Sequence, residues 1–380
     1  MKPLSLLTVC LSGVGGSVRI ALNLSAHLAA RGHRVRVASL CRPRGLDERL
    51  DWVQVAAPFS PAVQEPPIGL AFASELAELE DVDLIHVHYA LPHAPAANMA
   101  RQIAESRGGR RPFVVTLHGT DVAEDGPMRA YAPVVRWALG GAAGVTAPSR
   151  DLVLRACELY GLGEDRITHV PNFVDSERFR PPPSPRGGAG LHLVHVSNLR
   201  PIKRVHDILH AMPDVPSSVR LTVVGDGPER ARLVYLARRL GIEPRVRFLG
   251  EREDVAELLA SADAFVLPSK RESFGLAALE ASSVGLPVLA SRSGGIPEVV
   301  EDEVSGLLHP PGDVHALRAN ILRLLEDPAL RGRLGAAGRA RALDHRPDKV
   351  VDAYIDLYRR SLARGEPCES DHPCLDRSLH

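Results

Sequence analysis

SKRESFGLAALEA, residues 269–281, directly follows the apolar run Ala264-Phe265-Val266-Leu267, which reads as a short buried strand closed by Pro268. Ser273 is placed to cap a helix running from Phe274 to about Gly285, and Gly275 lets a ligand approach the backbone closely. A helix that starts at a strand end offers free N–H groups and a positive dipole end, which favour an anion such as a phosphate. Glu272 lies just before this helix and Glu280 almost two turns into it. At ~1.5 Å rise per residue, about six helical residues separate the two carboxylates by roughly 9 Å along the axis. That spacing suits a long ligand gripped at two hydroxyl-bearing ends, the shape of a nucleotide-sugar. Two glutamates alone are more often solvated than functional, so their surroundings decide the matter.

The same strand-then-helix unit recurs along the chain. In the first half, strands are predicted over 4–11, 34–40, 83–88, 112–117 and 144–147, with a helix over 18–31. Each strand ends in a polar cluster: Gly13-Val14-Gly15-Gly16-Ser17, His88-Tyr89, His118-Gly119-Thr120-Asp121 and Ser149-Arg150. Residues 181–190, PPPSPRGGAG, form a linker that supports neither helix nor strand. After it a second series begins, with strands predicted over 191–196, 221–224, 246–249, 264–267 and 287–290. The expectation is α/β: two doubly wound parallel-sheet domains, 1–180 and 190–346, facing across a cleft. Ligands of such sheets bind beyond the carboxyl ends of the strands, where the polar clusters lie.

Composition excludes several classes. The 46 basic and 46 acidic residues cancel without a basic stripe, which argues against a nucleic-acid partner. No apolar run reaches the eighteen or so residues of a membrane span. Lys2 and the apolar residues to Leu11 imitate a signal peptide, but the glycine-rich loop and helix that follow make this a buried first strand. Cys10, Cys41, Cys157, Cys368 and Cys374 are odd in number and scattered, so a reducing cytoplasm is the expected compartment. Cys368, His372 and Cys374 fall in a polar tail, 364–380, predicted to be disordered rather than metal-binding. Self-association is left open.

The loop at 12–17 superficially matches a dinucleotide fingerprint, but the third glycine would fall on Val18, and Cys41-Arg42 supplies no acid for a ribose. In Asn198-Leu199-Arg200-Pro201-Ile202-Lys203-Arg204, Lys203 and Arg204 open a helix whose N-terminus would ordinarily attract acids, which makes sense with an anion between. His118 is accompanied by a glycine, a hydroxyl and a carboxylate, and Asp121 is expected to orient that loop.

These motifs together resemble retaining glycosyltransferases of family 4: Glu272 and Glu280 bracketing Ser-Phe-Gly, the Gly-Gly-Ser loop, His118, Lys203, and the turns at 225–229, 250–252 and 293–298. The resemblance covers almost all of residues 4–363. It implies the GT-B fold, two Rossmann-like domains, with the helix at 349–363 packing back on the first domain. It also implies that Glu280 binds ribose, that the backbone of Ser273, Phe274, Gly275 and Leu276 meets the diphosphate, and that His118, Lys203 and Glu272 stand at the reacting sugar. Gly15, Gly16, Asn198 and Arg204 complete the expected donor site. Family members carry an arginine where this chain has Asn198, which puts a two-cation clamp in question and leaves Arg204 or the helix at Phe274 to offset the missing charge. Strings such as HVHYALPHA (86–94), PNFVD (171–175) and HVSNLRPIKRVHD (195–207) match a narrower branch. That branch implies UDP-N-acetylglucosamine as donor and L-malate as acceptor, in the first step of bacillithiol synthesis. For the acceptor, motif position points to Ser17, Tyr89, Thr120 and Asn172, with Arg136 a further candidate cation.

No Asp-x-Asp strand end or His/carboxylate cluster stands out, so no metal or other cofactor is expected. Nor is there a pair of carboxylates flanking one bond as in a glycosidase. The alternatives are a related family-4 enzyme with another small or lipid acceptor, an NAD enzyme disfavoured by the failed fingerprint, and a non-catalytic nucleotide-sugar binder. A membrane-bound enzyme would want more basic surface than Arg107, Arg110 and Arg111 provide, so no membrane partner is expected.

Overall fold

Short apolar strands alternating with amphipathic helices build two wholly parallel sheets. The computed structural model describes residues 2–13, 15–57, 67–122, 127–183 and 190–363; the linker's centre and the tail with Cys368, His372 and Cys374 lie outside the described residues. The first unit contains β1 (Ser5–Val9), α1 (Gly16–Ala30), β2 (Arg34–Ser39), β3 (Asp51–Gln54), α2 (Ile68–Glu78), β4 (Leu84–His88) and α3 (His93–Ser106). It continues with β5 (Phe113–Thr116), α4 (Ala132–Gly140), β6 (Gly144–Ala147), α5 (Arg150–Tyr160) and β7 (Ile167–His169). Its strand order is β3-β2-β1-β4-β5-β6-β7. The second contains β8 (Leu191–Val196), α6 (Val205–Ala211), β9 (Val219–Val224), α7 (Arg230–Arg239), β10 (Val246–Phe248), α8 (Val255–Ala260) and β11 (Ala264–Leu267). It ends with α9 (Leu276–Ser283), β12 (Val288–Ser291), α10 (Ile296–Val299), β13 (Gly306–His309), α11 (Val314–Glu326) and α12 (Pro328–Ala342), in the order β10-β9-β8-β11-β12-β13.

Helices cover both faces of each sheet, so the central strands read as unbroken buried runs; every residue of β4, β5 and β11 is buried. Strand order reverses between β1 and β4 in the first sheet and between β8 and β11 in the second. At those two points successive loops diverge and open a crevice. The loops after β1, β4, β8 and β11 are the ones that carry the glycine loop, His88-Tyr89, Asn198–Lys203 and 268–275.

A last helix, α13 (Pro347–Ala363), leaves the second unit and buries Val350, Val351, Tyr354, Ile355, Leu357 and Tyr358 among core residues of the first, including Leu6, Val18 and Val114. Its polar groups find partners inside. Tyr358 Oη lies 2.8 Å from His86 Nδ1, His86 Nε2 lies 2.7 Å from Thr116 Oγ1, and Tyr354 Oη lies 3.2 Å from that same hydroxyl. Buried polar groups need such partners, and here they fix the helix against β4 and β5.

Several imidazoles are buried neutral. Burial pushes His86 down to about 3, and His93 and His195 down to about 4. Below about pH 6.5 the unfolded chain takes up these protons while the folded chain does not, so stability is full above that pH and falls toward the folded values. Each ring contributes up to ~1.4 kcal/mol per pH unit in that window. Asp121, whose carboxyl burial pushes upward, acts in the opposite sense, but it is one group. Calorimetry should therefore show the melting temperature falling between pH 7 and pH 5, with a shallower slope in His86→Gln. A flat or rising profile would contradict this account.

Candidate active site

The crevices of the two sheets face each other and merge into one cleft of about 800 Å³. Its walls meet at a few direct contacts. Ser149 Oγ, at the cap of α5, donates to the Ser273 carbonyl at 2.5 Å, and Glu298 accepts from the Arg150 amide at 3.0 Å. Gly119 has φ +112, and a Cβ there would sit 2.5 Å from that of Ser273. Only glycine fits this approach without strain.

On the second domain's wall, the chain after β11 departs from the sequence expectation. The helix begins at Leu276, not Phe274, and its cap is Gly275 at φ +97; Ser273 makes no capping bond. The physical reason is Phe274, which is buried in the core and packs edge-on against His345, so the backbone must turn left-handed before the helix can start. Only Leu276–Glu280 then contributes helical rise, about 6 Å of the roughly 9 Å expected. Ser273, Phe274, Gly275 and Leu276 still line the cleft, as do Asn198, Lys203, Glu272 and Glu280. Lys203 Nζ donates to Glu272 Oε1 at 2.6 Å, and Ser269 Oγ donates to the same oxygen at 2.7 Å. Two expected catalytic groups are thus each other's partners.

Arg204 is a correction. It does not line the cleft; held at φ +49, it turns its guanidinium onto Asp207 through bonds of 2.7 and 3.0 Å. The cations that do line the cleft from this domain besides Lys203 are Arg200, Arg252, Lys270 and Arg271.

Glu280 is 2% exposed and forms an ion pair with Arg19, from the first turn of α1 on the opposite wall. Arg19 was not among the residues expected in the site. Nothing local to α1 signals its partner, which is 261 residues away in sequence.

The first domain's wall gathers Gly15, Gly16, Ser17, Tyr89, His118, Thr120 and Asn172. Tyr89 adopts φ +90, a strained conformation of the kind that persists where surrounding structure enforces it. Burial and then Asp121 push its phenol upward, while hydrogen bonding from Thr120 and Ser17 and the charge of Arg200 pull the other way. Ser17 and Thr120 thus lie close enough to act on the Tyr89 phenol, as does Arg200 of the other domain, while Asn172 lines the same cleft. Asp121 is fully buried and accepts from the amides of Ala90, His118 and Gly119 at 3.0, 3.0 and 2.7 Å, which fixes the loop as expected. His118 is partly buried, stacks on Tyr89 with ring centres 5.6 Å apart, and is pushed down to about 3 by burial. It is neutral at pH 7 and serves as a hydrogen-bonding group rather than a proton donor of imidazolium type. Arg136 is the other correction: it is exposed on α4 against Gly161, outside the cleft. Arg155 of α5 lines the cleft instead.

Two facing doubly wound sheets with an anion-ready helix start and paired glutamates define a glycosyltransferase of GT-B fold, and the comparisons agree. Residues 14–178 match the family described as Glycosyltransferase Family 4, and residues 182–341 that described as Glycosyl transferases group 1. The chain belongs to this family. It is 36% identical to the N-acetyl-alpha-D-glucosaminyl L-malate synthase of Bacillus anthracis over 365 residues, 92% of this chain and 95% of that protein. It is 32% identical to the D-inositol 3-phosphate glycosyltransferase of Saccharomonospora viridis, over 81% of this chain and 79% of that one. Among solved structures, Anabaena Alr3699/HepE in complex with UDP and glucose has the same fold, with a TM-score of 0.80 at 23% identity over 93% of this chain and 98% of that one.

The Gly119–Ser273 approach gives a direct test of whether the closed cleft is the working form. Gly119→Ala is expected to lower kcat/KM at least ~10-fold, since a misplacement of about 1 Å suffices for such losses. Unfolding free energy should fall by only ~1–2 kcal/mol, the cost of a left-handed residue. Unchanged turnover would show that the two walls need not meet this closely.

Proposed function

We propose that this chain is a retaining glycosyltransferase that moves N-acetylglucosamine from UDP-N-acetylglucosamine to the hydroxyl of L-malate, releasing UDP, the reaction that opens bacillithiol synthesis. The observation that carries the reading is the pairing of the two walls. Glu272, Lys203 and the start of α9 stand on one side, and Ser17, Tyr89, Thr120 and Asn172 face them within the same cleft. The relative from Bacillus anthracis, matched over nearly its whole length, supports the choice of donor and acceptor.

In this reading the ribose hydroxyls take Glu280, and the diphosphate lies against the amides of Gly275 and Leu276. The malate oxygen bonds to the anomeric carbon as the carbon–oxygen bond to the diphosphate breaks. Attack and departure occur on one face of the sugar, and the malate hydroxyl proton passes to the leaving phosphate oxygen, so the configuration is retained. Lys203, released from Glu272, and the helix start stabilise the charge that grows on UDP. No metal ion enters the scheme, because these groups and Arg200 offset the donor's charge. Malate's two carboxylates require several donors, and Arg155 and Arg200 are cations that line the same cleft.

A second acceptor deserves a place in the test because of the D-inositol 3-phosphate glycosyltransferase relative. Purified protein is incubated with UDP-N-acetylglucosamine and a panel of L-malate, lactate and inositol phosphate, and products are read by mass spectrometry. L-Malate should be glycosylated. Lactate should be at least ~10-fold poorer, since donors left unpaired cost ~1–3 kcal/mol. Thr120→Val should reduce malate turnover while UDP affinity stays unchanged. Equal use of lactate or inositol phosphate would refute the malate assignment.

A further inference from the structure

We infer that His88, which lies behind the cleft and does not line it, is a positioning residue that fixes His118 as its Nδ1–H tautomer, so that a neutral N–H donor faces the sugar. The inference rests on the functional reading above for its consequence, but not for its geometry. His88 Nδ1 and His118 Nε2 are 3.0 Å apart, so one of the two must donate and the other accept. The two arrangements leave His118 with opposite chemistry at its remaining nitrogen. If His88 donates, His118 carries its proton on Nδ1; if His88 accepts, His118 Nδ1 is a bare lone pair.

His88 Nε2 decides between them. His88 is 1% exposed and its Nε2 has no hydrogen-bond partner among the described residues. A proton on that nitrogen would be an orphaned buried N–H, the rarer kind of unsatisfied group in folded proteins. The proton therefore belongs on Nδ1, where it is donated to His118. The ring has no freedom to evade this choice. It is packed against His86 with centres 4.2 Å apart, and His93 Nδ1 bonds the His88 carbonyl at 2.9 Å and holds the strand end. His118 lines the cleft, and its Nδ1 has no protein partner among the described residues yet is not enclosed, so it is open to the cleft. Because burial keeps both rings neutral at pH 7, the tautomer is the only variable that sets donor or acceptor character there. A sugar oxygen, hydroxyl or acetamido carbonyl, accepts from such an N–H.

The test is nitrogen NMR of the protein labelled with ¹⁵N-histidine, with His118 assigned by loss of its signals in His118→Phe. In the unsubstituted protein His118 should appear protonated on Nδ1; protonation on Nε2 overturns the inference, whether or not any variant folds. His88→Leu should move the proton to Nε2 and lower kcat about tenfold, the scale of one hydrogen bond made in the transition state, with the donor KM little changed. His88→Asn, whose amide N–H falls near the Nδ1 position, should keep the Nδ1–H form and most of the activity. A purely structural His88 would change thermal stability in both variants and leave the tautomer alone. The NMR readout needs no substrate, so a correct tautomer without glycosyl transfer would refute only the functional reading.

Discussion

A carboxylate removed from water must be paired, and Glu280, almost wholly buried on α9, is paired with a side chain from the other domain. Arg19 reaches it from the first turn of α1, so the charge balance of the second domain's wall is completed by the first domain's. In the same cleft, Glu272 is held by Lys203 and Ser269. Both glutamates are therefore paired with protein groups, and in the proposed reading a nucleotide-sugar replaces those contacts with its own.

The two walls divide the chemistry. Within the cleft the second domain contributes Arg200, Lys203, Arg252, Lys270, Arg271 and a helix start, all suited to anions. The first contributes mostly neutral groups, from His118, kept uncharged by burial, to the hydroxyls of Ser17, Tyr89 and Thr120. Arg19 and Arg155 are the cations that line the cleft on that wall. Helix α13 supports this arrangement from behind, because its Tyr358 and Tyr354 close the hydrogen-bonding of His86 and Thr116 beneath the strand ends.

Much of this was legible in the sequence for identifiable reasons. Strands β6, β8 and β11 lie where the apolar runs place them, because central strands of a covered parallel sheet admit few polar residues. Strands β3, β7 and β13 escaped notice; they have four, three and four residues, and β3 is half-exposed at the sheet edge, so neither length nor alternation marks them. The cleft residues were readable because parallel strands present their C-terminal loops on one side. What failed was side-chain direction. Arg204 follows Lys203 in sequence, but its left-handed backbone and Asp207 carry it away from the cleft. Ser273 looks like a cap only if Phe274 is helical, and core packing forbids that. Arg19 and Arg155 become visible only when the two domains are brought together.

The account stands on Glu280 exchanging a protein cation for a ribose, and a crystal structure of the protein with UDP tests it most directly. The ribose hydroxyls should lie within hydrogen-bond distance of the Glu280 carboxylate, with Arg19 displaced from it and the diphosphate against the Gly275 and Leu276 amides. UDP bound elsewhere in the cleft, with the Arg19–Glu280 pair intact, would contradict it.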